Sequence, residues 1–459
     1  MNESKLDISA DFKSISDNEW KMLVEKDLKG KDFAETLVWH NDNGILLQPY
    51  YRSSDLEKIK NPERFRSISN EWVIQQDFAD SKDSNAAILA ALERGATGIG
   101  LHLKENVNLS SLLSEVYVDA IPIEFNGAVS ENTLKQLIEV AKEKHISLNS
   151  ISGVVAFKPL SISAELGSNQ SVDELAEVIK GYSDQFSQLK LIQIDASIVK
   201  NAGGNENQEI AFALAQANEY IDRLTDKGIA VETVIANFSF KFAFGISYFT
   251  EIAKVRAFRF LIQSIYNQYG VDAVAEITAT TASINYAAKD SYTNLLRATT
   301  SAMSAAVGGC DRLVVLPHDV PFEEQSTFAE RIARNIQVVL QEEAHLSKVK
   351  DAAAGSYYIE QISDELAQKS WELFQAIENM GGFTLSLSQH KFQELIAINA
   401  AEVLSDLKDK KRILVGVNKY EPAKTDGKEI KSTIAVNGKD YKALTPIRWS
   451  AIFEGEASI

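Results

Sequence analysis

Residues 72–103, WVIQQDFADSKDSNAAILAALERGATGIGLHL, contain one complete unit of the pattern that decides the fold. An apolar, β-branched run (72–78) is followed by an Ala-rich amphipathic stretch (84–94) that Gly95 stops, and a second apolar run opens at Gly98. From Trp72 to Ala344 this unit recurs roughly eight times, which is the written form of an α/β chain folded as a (β/α)8 TIM barrel. The remaining strands are expected at 121–125, 154–157, 189–194, 231–237, 275–281 and 312–316. The helix after the fifth strand is the clearest, with Ile210, Leu214, Ala217, Ile221 and Leu224 on one face. Barrels of this kind keep reactive groups where a strand ends and its loop begins, so those positions are the ones to inspect.

Outward from the barrel, residues 1–50 show no strand–helix rhythm: a short helix near Trp20, then Gly30 and the Asp42-Asn43-Gly44 turn signal. They read as an N-terminal arm that wraps a partner. The barrel proper is expected over 51–345. A helical extension over 346–411 carries its own apolar stripe, including Ile362, Leu366, Leu373 and Ile377, and an extended segment over 412–459 holds Pro422, Gly427 and Gly438.

With 459 residues, 45% of them hydrophobic and 24% charged, the composition is that of a folded globular chain. The N-terminus MNESKLDISADFK has no apolar core of a signal peptide, and no run of about 18 apolar residues occurs, so a cytoplasmic protein is expected. The single cysteine, Cys310, excludes an internal disulfide and a cysteine metal cage, and reads as a small core residue. A net charge of −17 disfavours nucleic acid and anionic membranes as partners, while leaving room for a local phosphate site.

Three polar residues at strand ends are candidates for chemistry: Asp77 on the first strand, His102 on the second and His318 on the eighth, which neighbour one another in a closed barrel. Converging, they would make an acid/base or metal site. A one-residue shift in strand register would turn each away, leaving capping or solvated residues. His40, His145, His345 and His390 share no metal-ligand spacing with a carboxylate. Gly95, Gly98 and Gly100 precede a strand, the reverse of a dinucleotide loop, and read as a helix stop. Phenylalanines at 238, 240, 242, 244, 249, 258 and 260 either pack the core or line an apolar cavity or interface. Gly203-Gly204 and Gly308-Gly309 serve turns.

Longer strings carry a more specific signal. Residues 249–259 (FTEIAKVRAFR), 331–337 (RIARNIQ), 355–360 (GSYYIE) and 415–420 (VGVNKY) resemble the methylmalonyl-CoA mutase family, as do 26–30 (KDLKG), 125–129 (FNGAV) and Pro159. They occur in family order along nearly the whole chain. The resemblance implies a part in the adenosylcobalamin-dependent radical isomerisation of methylmalonyl-CoA and succinyl-CoA. Heterodimeric members pair a catalytic large subunit with a related, non-catalytic small one, and this chain looks like the small subunit.

Three departures point that way. The Tyr-His pair of catalytic chains, ahead of an Ala-Gly dipeptide after the fifth strand, matches Ser197 and Ile198 ahead of Ala202 and Gly203; isoleucine cannot donate a hydrogen bond to a thioester carbonyl. The pattern R-Q-Y on the first strand matches Gln75, Gln76 and Asp77, and H-x-Q-T-S after the seventh matches Thr278, Ala279, Thr280, Thr281 and Ala282. The flavodoxin-like cobalamin domain is expected to be absent, since none of the six histidines sits in the family's D-x-H-x-x-G motif. The resemblance therefore implies no catalytic, cofactor-binding or metal residue in this chain, which alone would bind no cofactor; adenosylcobalamin would belong to the complex. Two other readings remain: a substrate-binding mutase barrel served by a separate cobalamin-binding chain, and an independent barrel isomerase or lyase using Asp77, His102 and His318.

Overall fold

Closing a parallel sheet on itself removes both edges, and the chain does this with eight strands. A computed structural model describes residues 15–59, 62–65, 71–322, 326–423, 428–431, 436 and 438–455. The barrel strands are β1 (Val73–Ala79), β2 (Gly98–Leu103), β3 (Ile123–Gly127), β4 (Gly153–Phe157), β5 (Leu189–Asp195), β6 (Phe238–Phe244), β7 (Glu276–Thr281) and β8 (Arg312–Val314). They pair in chain order, and β8 closes the ring by lying between β7 and β1, with Arg312 opposite both Thr278 and Val73. The (β/α)8 architecture expected from the sequence is thus the observed one.

Gly95 stops the first barrel helix, Ser84–Leu92, with a φ of +98°. Gly98 and Gly100, however, lie inside β2 rather than in a helix stop. A Cβ on Gly100 would stand 2.0 Å from Asp77 Oδ1, so this strand carries glycine to make room for the neighbouring carboxylate.

The sixth strand is displaced from its expected place. Residues 231–237 (VETVIAN) are β-branched enough to read as a strand, yet Val231–Ala236 is a helix and the strand is the following FSFKFAF. There Phe238, Phe240, Phe242 and Phe244 form one face, all buried, and Phe240 and Phe242 meet Phe258 of the helix Tyr248–Gln268 at 4.8 and 4.7 Å. The phenylalanine cluster is therefore core packing, except at exposed Phe249. The alternate face, Ser239, Lys241 and Ala243, turns inward.

Beyond the barrel, the helix Tyr357–Asn379 buries Ile362, Leu366 and Ile377 against the helices Glu206–Asp226 and Tyr248–Gln268. The described parts of both terminal segments meet the barrel. The arm's helix Asp17–Asp27 buries none of its residues, but Asn43 Nδ2 donates to Glu206 Oε2 at 2.7 Å and Ile45 and Leu47 join the core. The stretch from Asn43 to Leu47 thus docks on this chain's own barrel. The C-terminal segment crosses the strand-end loops, with Leu444, Ile447 and Trp449 donating backbone N–H groups to Ala164, Asn201 and Ile284. The first 14 residues, including the stretch read for a signal peptide, and Gly427 lie outside the described residues. Among the described residues no helix is long and apolar enough to cross a membrane. Cys310 is buried, and burial pushes its thiol pKa up.

Phe240→Ala should destabilise the chain by about 3–5 kcal/mol, because a fully buried ring is lost where the helix cannot collapse. Phe249→Ala, at an exposed position, should cost under about 1 kcal/mol. Equal shifts of the urea midpoint for the two variants would contradict this assignment of the phenylalanine face.

Candidate functional site

Gln75 on β1 and Lys241 on β6 both bond Glu124 on β3 although no two of these strands are neighbours, so all three side chains occupy the barrel interior. Lys241 Nζ donates to Glu124 Oε1 at 3.0 Å, and Gln75 Nε2 donates to Glu124 Oε2 at 3.3 Å and to Asp77 Oδ1 at 3.0 Å. Asn126 also donates to Glu124. A fully buried carboxylate would ordinarily titrate high. Here the cations Lys241 and Arg312 outweigh burial and hold Glu124 down to about 2, while its charge and that of Asp77 raise the pKa of Lys241.

Above this pair, at the strand ends, lies a cavity of 270 Å³ lined by Asp77, His102, Asn126, Lys158, Glu165 and Lys241. Asp77 opens into it yet is ringed by protein, and this desolvation, with Glu124 nearby, keeps its carboxyl above the usual range despite Lys241. Lys158 follows β4 and bonds Asp195 at the end of β5 at 2.8 Å, with Glu165 at 3.6 Å. Burial would raise the pKa of Asp195, but Lys158 and Lys241 overcome it and hold it low. Glu165 feels the same two lysines, but burial, reinforced by the charge of Asp195, outweighs them and raises it.

Of the sequence candidates, Asp77 and His102 do converge in this cavity. His318 does not join them: it is buried on the loop after β8, stacked on Tyr292 at 5.2 Å. Ser197 and Ile198 open the short helix Ser197–Asn201 beyond β5; the Ser197 hydroxyl donates to Asp195 Oδ1 at 2.5 Å, and Ile198 belongs to the hydrophobic core. Thr278 and Thr280 on β7 are buried, and Thr278 lies opposite Lys241 in the pairing. Gln76 faces away from the lumen and accepts from Arg334 Nη1 at 2.7 Å. Sequence reading missed Glu124, Lys158, Glu165, Asp195 and Lys241. The signal was present in a lone charge between apolar neighbours, as in Ile123-Glu124-Phe125 and Phe240-Lys241-Phe242.

Among the described residues no cluster of His, Cys, Asp and Glu could hold a metal ion.

Lys241→Met should cost about 3–5 kcal/mol at pH 7, since it strands Glu124 in the interior. The sign follows from the depressed pKa: stability from the Glu124 pair is complete above about 4.5, the free carboxyl value, and is lost as pH falls toward 2. In the variant Glu124 is protonated well above 4.5. The gap in urea midpoint between wild type and variant should therefore narrow from pH 7 to pH 4, and a gap independent of pH would refute the pairing.

Comparison with known proteins agrees with the fold and the strings. Residues 80–448 match the sequence profile of the family described as methylmalonyl-CoA mutase. The chain is 31% identical to the methylmalonyl-CoA mutase small subunit of Porphyromonas gingivalis, over 98% of this chain and 77% of that one. It is 27% identical to the small subunit of Propionibacterium freudenreichii subsp. shermanii, over 99% and 76%. Against the methylmalonyl-CoA mutase of Cereibacter sphaeroides identity is 29%, over 90% of this chain and 65% of the relative. By profile, by these relatives and by its eight-stranded barrel, the chain belongs to the methylmalonyl-CoA mutase family.

Proposed function

We propose that this chain is the small, non-catalytic subunit of an adenosylcobalamin-dependent methylmalonyl-CoA mutase, pairing in the cytoplasm with a catalytic large subunit that holds the cofactor and carries out the isomerisation. The observation that carries the reading is the state of the strand ends. Where the family resemblance puts a Tyr-His pair, Ser197 is bonded to Asp195 and Ile198 is packed in the core, so neither offers a donor to a thioester carbonyl. The interior is occupied by ion pairs, Glu124–Lys241 and Lys158–Asp195, that satisfy one another. A barrel built this way keeps its shape for a partner and turns its charges on itself.

The arm supports pairing. Met22 and Leu23 on the helix Asp17–Asp27 are 69% and 55% exposed, and Trp39, Leu46 and Tyr50 are also open to solvent. Exposed large apolar side chains in one segment suit a protein–protein interface. The independent-enzyme reading is disfavoured by His318, which lies apart from Asp77 and His102.

Deleting residues 1–37 should leave the fold intact, with the thermal midpoint within a few degrees of wild type, because the buried anchors Asn43, Ile45 and Leu47 remain. Affinity for the large subunit, measured by analytical ultracentrifugation, should fall about tenfold or more, the loss of at least one apolar anchor. Undiminished pairing would sink the arm's role, and failure of the full chain to pair at all would sink the subunit reading.

The double substitution Ser197→Tyr, Ile198→His should not produce mutase activity in the isolated chain. One restored donor accounts for a few kcal/mol of a barrier reduction that also needs the cofactor and exclusion of water. Conversion of methylmalonyl-CoA by the substituted chain alone, with adenosylcobalamin supplied, would place catalysis in this barrel after all.

A further inference from the structure

Outside the barrel, between the first barrel helix Ser84–Leu92 and the last, Thr327–Glu342, lies a groove of 380 Å³ that the mutase reading does not use. Ala87, Ala90 and Ala91 leave it open by their small size, and Arg94, Arg331 and Arg334 line it. In a chain carrying 64 acidic residues against 47 Lys and Arg, three guanidiniums share one cavity, and none of them forms an ion pair with a described residue. Among the described residues Glu330 is the one carboxylate on the wall, against three arginines.

The three arginines are not equivalent. Arg334 is 6% exposed and fixed: its Nε donates to the Arg94 backbone carbonyl at 3.1 Å and its Nη1 to Gln76 Oε1 at 2.7 Å. Arg94 and Arg331 are exposed, with Arg331 lying over the Phe328 ring at 5.6 Å. Burial, reinforced by the charges of Arg94 and Arg331, lowers the pKa of Arg334, so the free groove holds like charges that repel. An anion between them would relieve that repulsion. Guanidinium forks match phosphate oxygens in pairs, and the positive end of the 16-residue helix Thr327–Glu342 opens onto the same groove.

We propose that this groove binds a phosphorylated small molecule, with Arg334 as the buried anchor and Arg94 and Arg331 closing on its phosphate groups. The large net negative charge of the chain works against non-specific anion binding, so any uptake must be local.

Isothermal titration of the full-length chain with pyrophosphate and with ADP tests this, one probe offering phosphate alone and the other a phosphorylated organic molecule. Saturable one-to-one binding of at least one probe is expected, accompanied by a higher thermal midpoint. Binding should weaken with added salt. Arg94→Ala combined with Arg331→Ala changes only exposed side chains and should lower affinity tenfold or more, since hydrogen bonds to charged groups are lost. Binding of pyrophosphate alone would assign the site to free inorganic phosphates and leave an organic ligand refuted. Absence of saturable binding by either probe at millimolar concentration, or affinity unchanged in the double variant, would overturn the proposal.

Discussion

The ion pair between Glu124 and Lys241, which spans the barrel from β3 to β6, is the interaction on which the character of this molecule depends. Closure of the sheet forces the inward side chains of all eight strands into one small volume, where an uncompensated charge would be very costly. Once Glu124 is placed there, Lys241 has to follow, and Gln75 and Asn126 complete the shell around the carboxylate. Replacing such a pair with apolar residues is often neutral or stabilising, so the pair is weak evidence for stability. Interior polar atoms without a hydrogen-bond partner among the described residues, among them Ser239 Oγ, Thr278 Oγ1 and Arg312 Nη1, show how far this lumen departs from the branched aliphatic filling common in such barrels.

A second ionic assembly lies outside the strands and ties together residues of the family strings. In 249–259, Lys254 bonds Glu251 at 2.5 Å and Glu209 at 2.8 Å, and Arg256 reaches Glu360 of the string 355–360 at 2.7 Å. Lys200 adds contacts to Glu206 at 2.5 Å and Glu251 at 3.1 Å. Burial, with the neighbouring Glu251, pushes the Glu209 carboxyl up to about 7 even beside Lys254. These groups join the helices Glu206–Asp226 and Tyr248–Gln268 and fasten the helix Tyr357–Asn379 to both. Arg297 Nη2 donating to the Val415 carbonyl at 2.5 Å fastens the string 415–420 in the same manner. Side chains committed to buried partners on distant segments leave little freedom for substitution.

The alternation of strand and helix, the stops such as Gly95, the apolar stripe of 206–226 and the family strings were legible because each depends on neighbours within a few turns of chain. The same local reading placed the sixth strand at 231–237, where β-branched residues outweighed the stronger period-two signal of FSFKFAF. Asp77 and His102 were correctly paired because adjacent strands in register bring their ends together, whereas His318 lies past the end of β8, on a loop whose course no periodicity encodes.

Sequence by itself determined the barrel, its order of elements and the family, since hydrophobic periodicity and long strings survive without knowledge of contacts. Tertiary structure alone decided which inward charges meet, that the segment Asn41–Leu47 docks on its own barrel, and that Arg94 and Arg334, 240 positions apart, share one groove. The physical reason is that ion pairing and cavity shape act through space over a few ångströms, and ring closure sets those distances between residues that the chain keeps far apart.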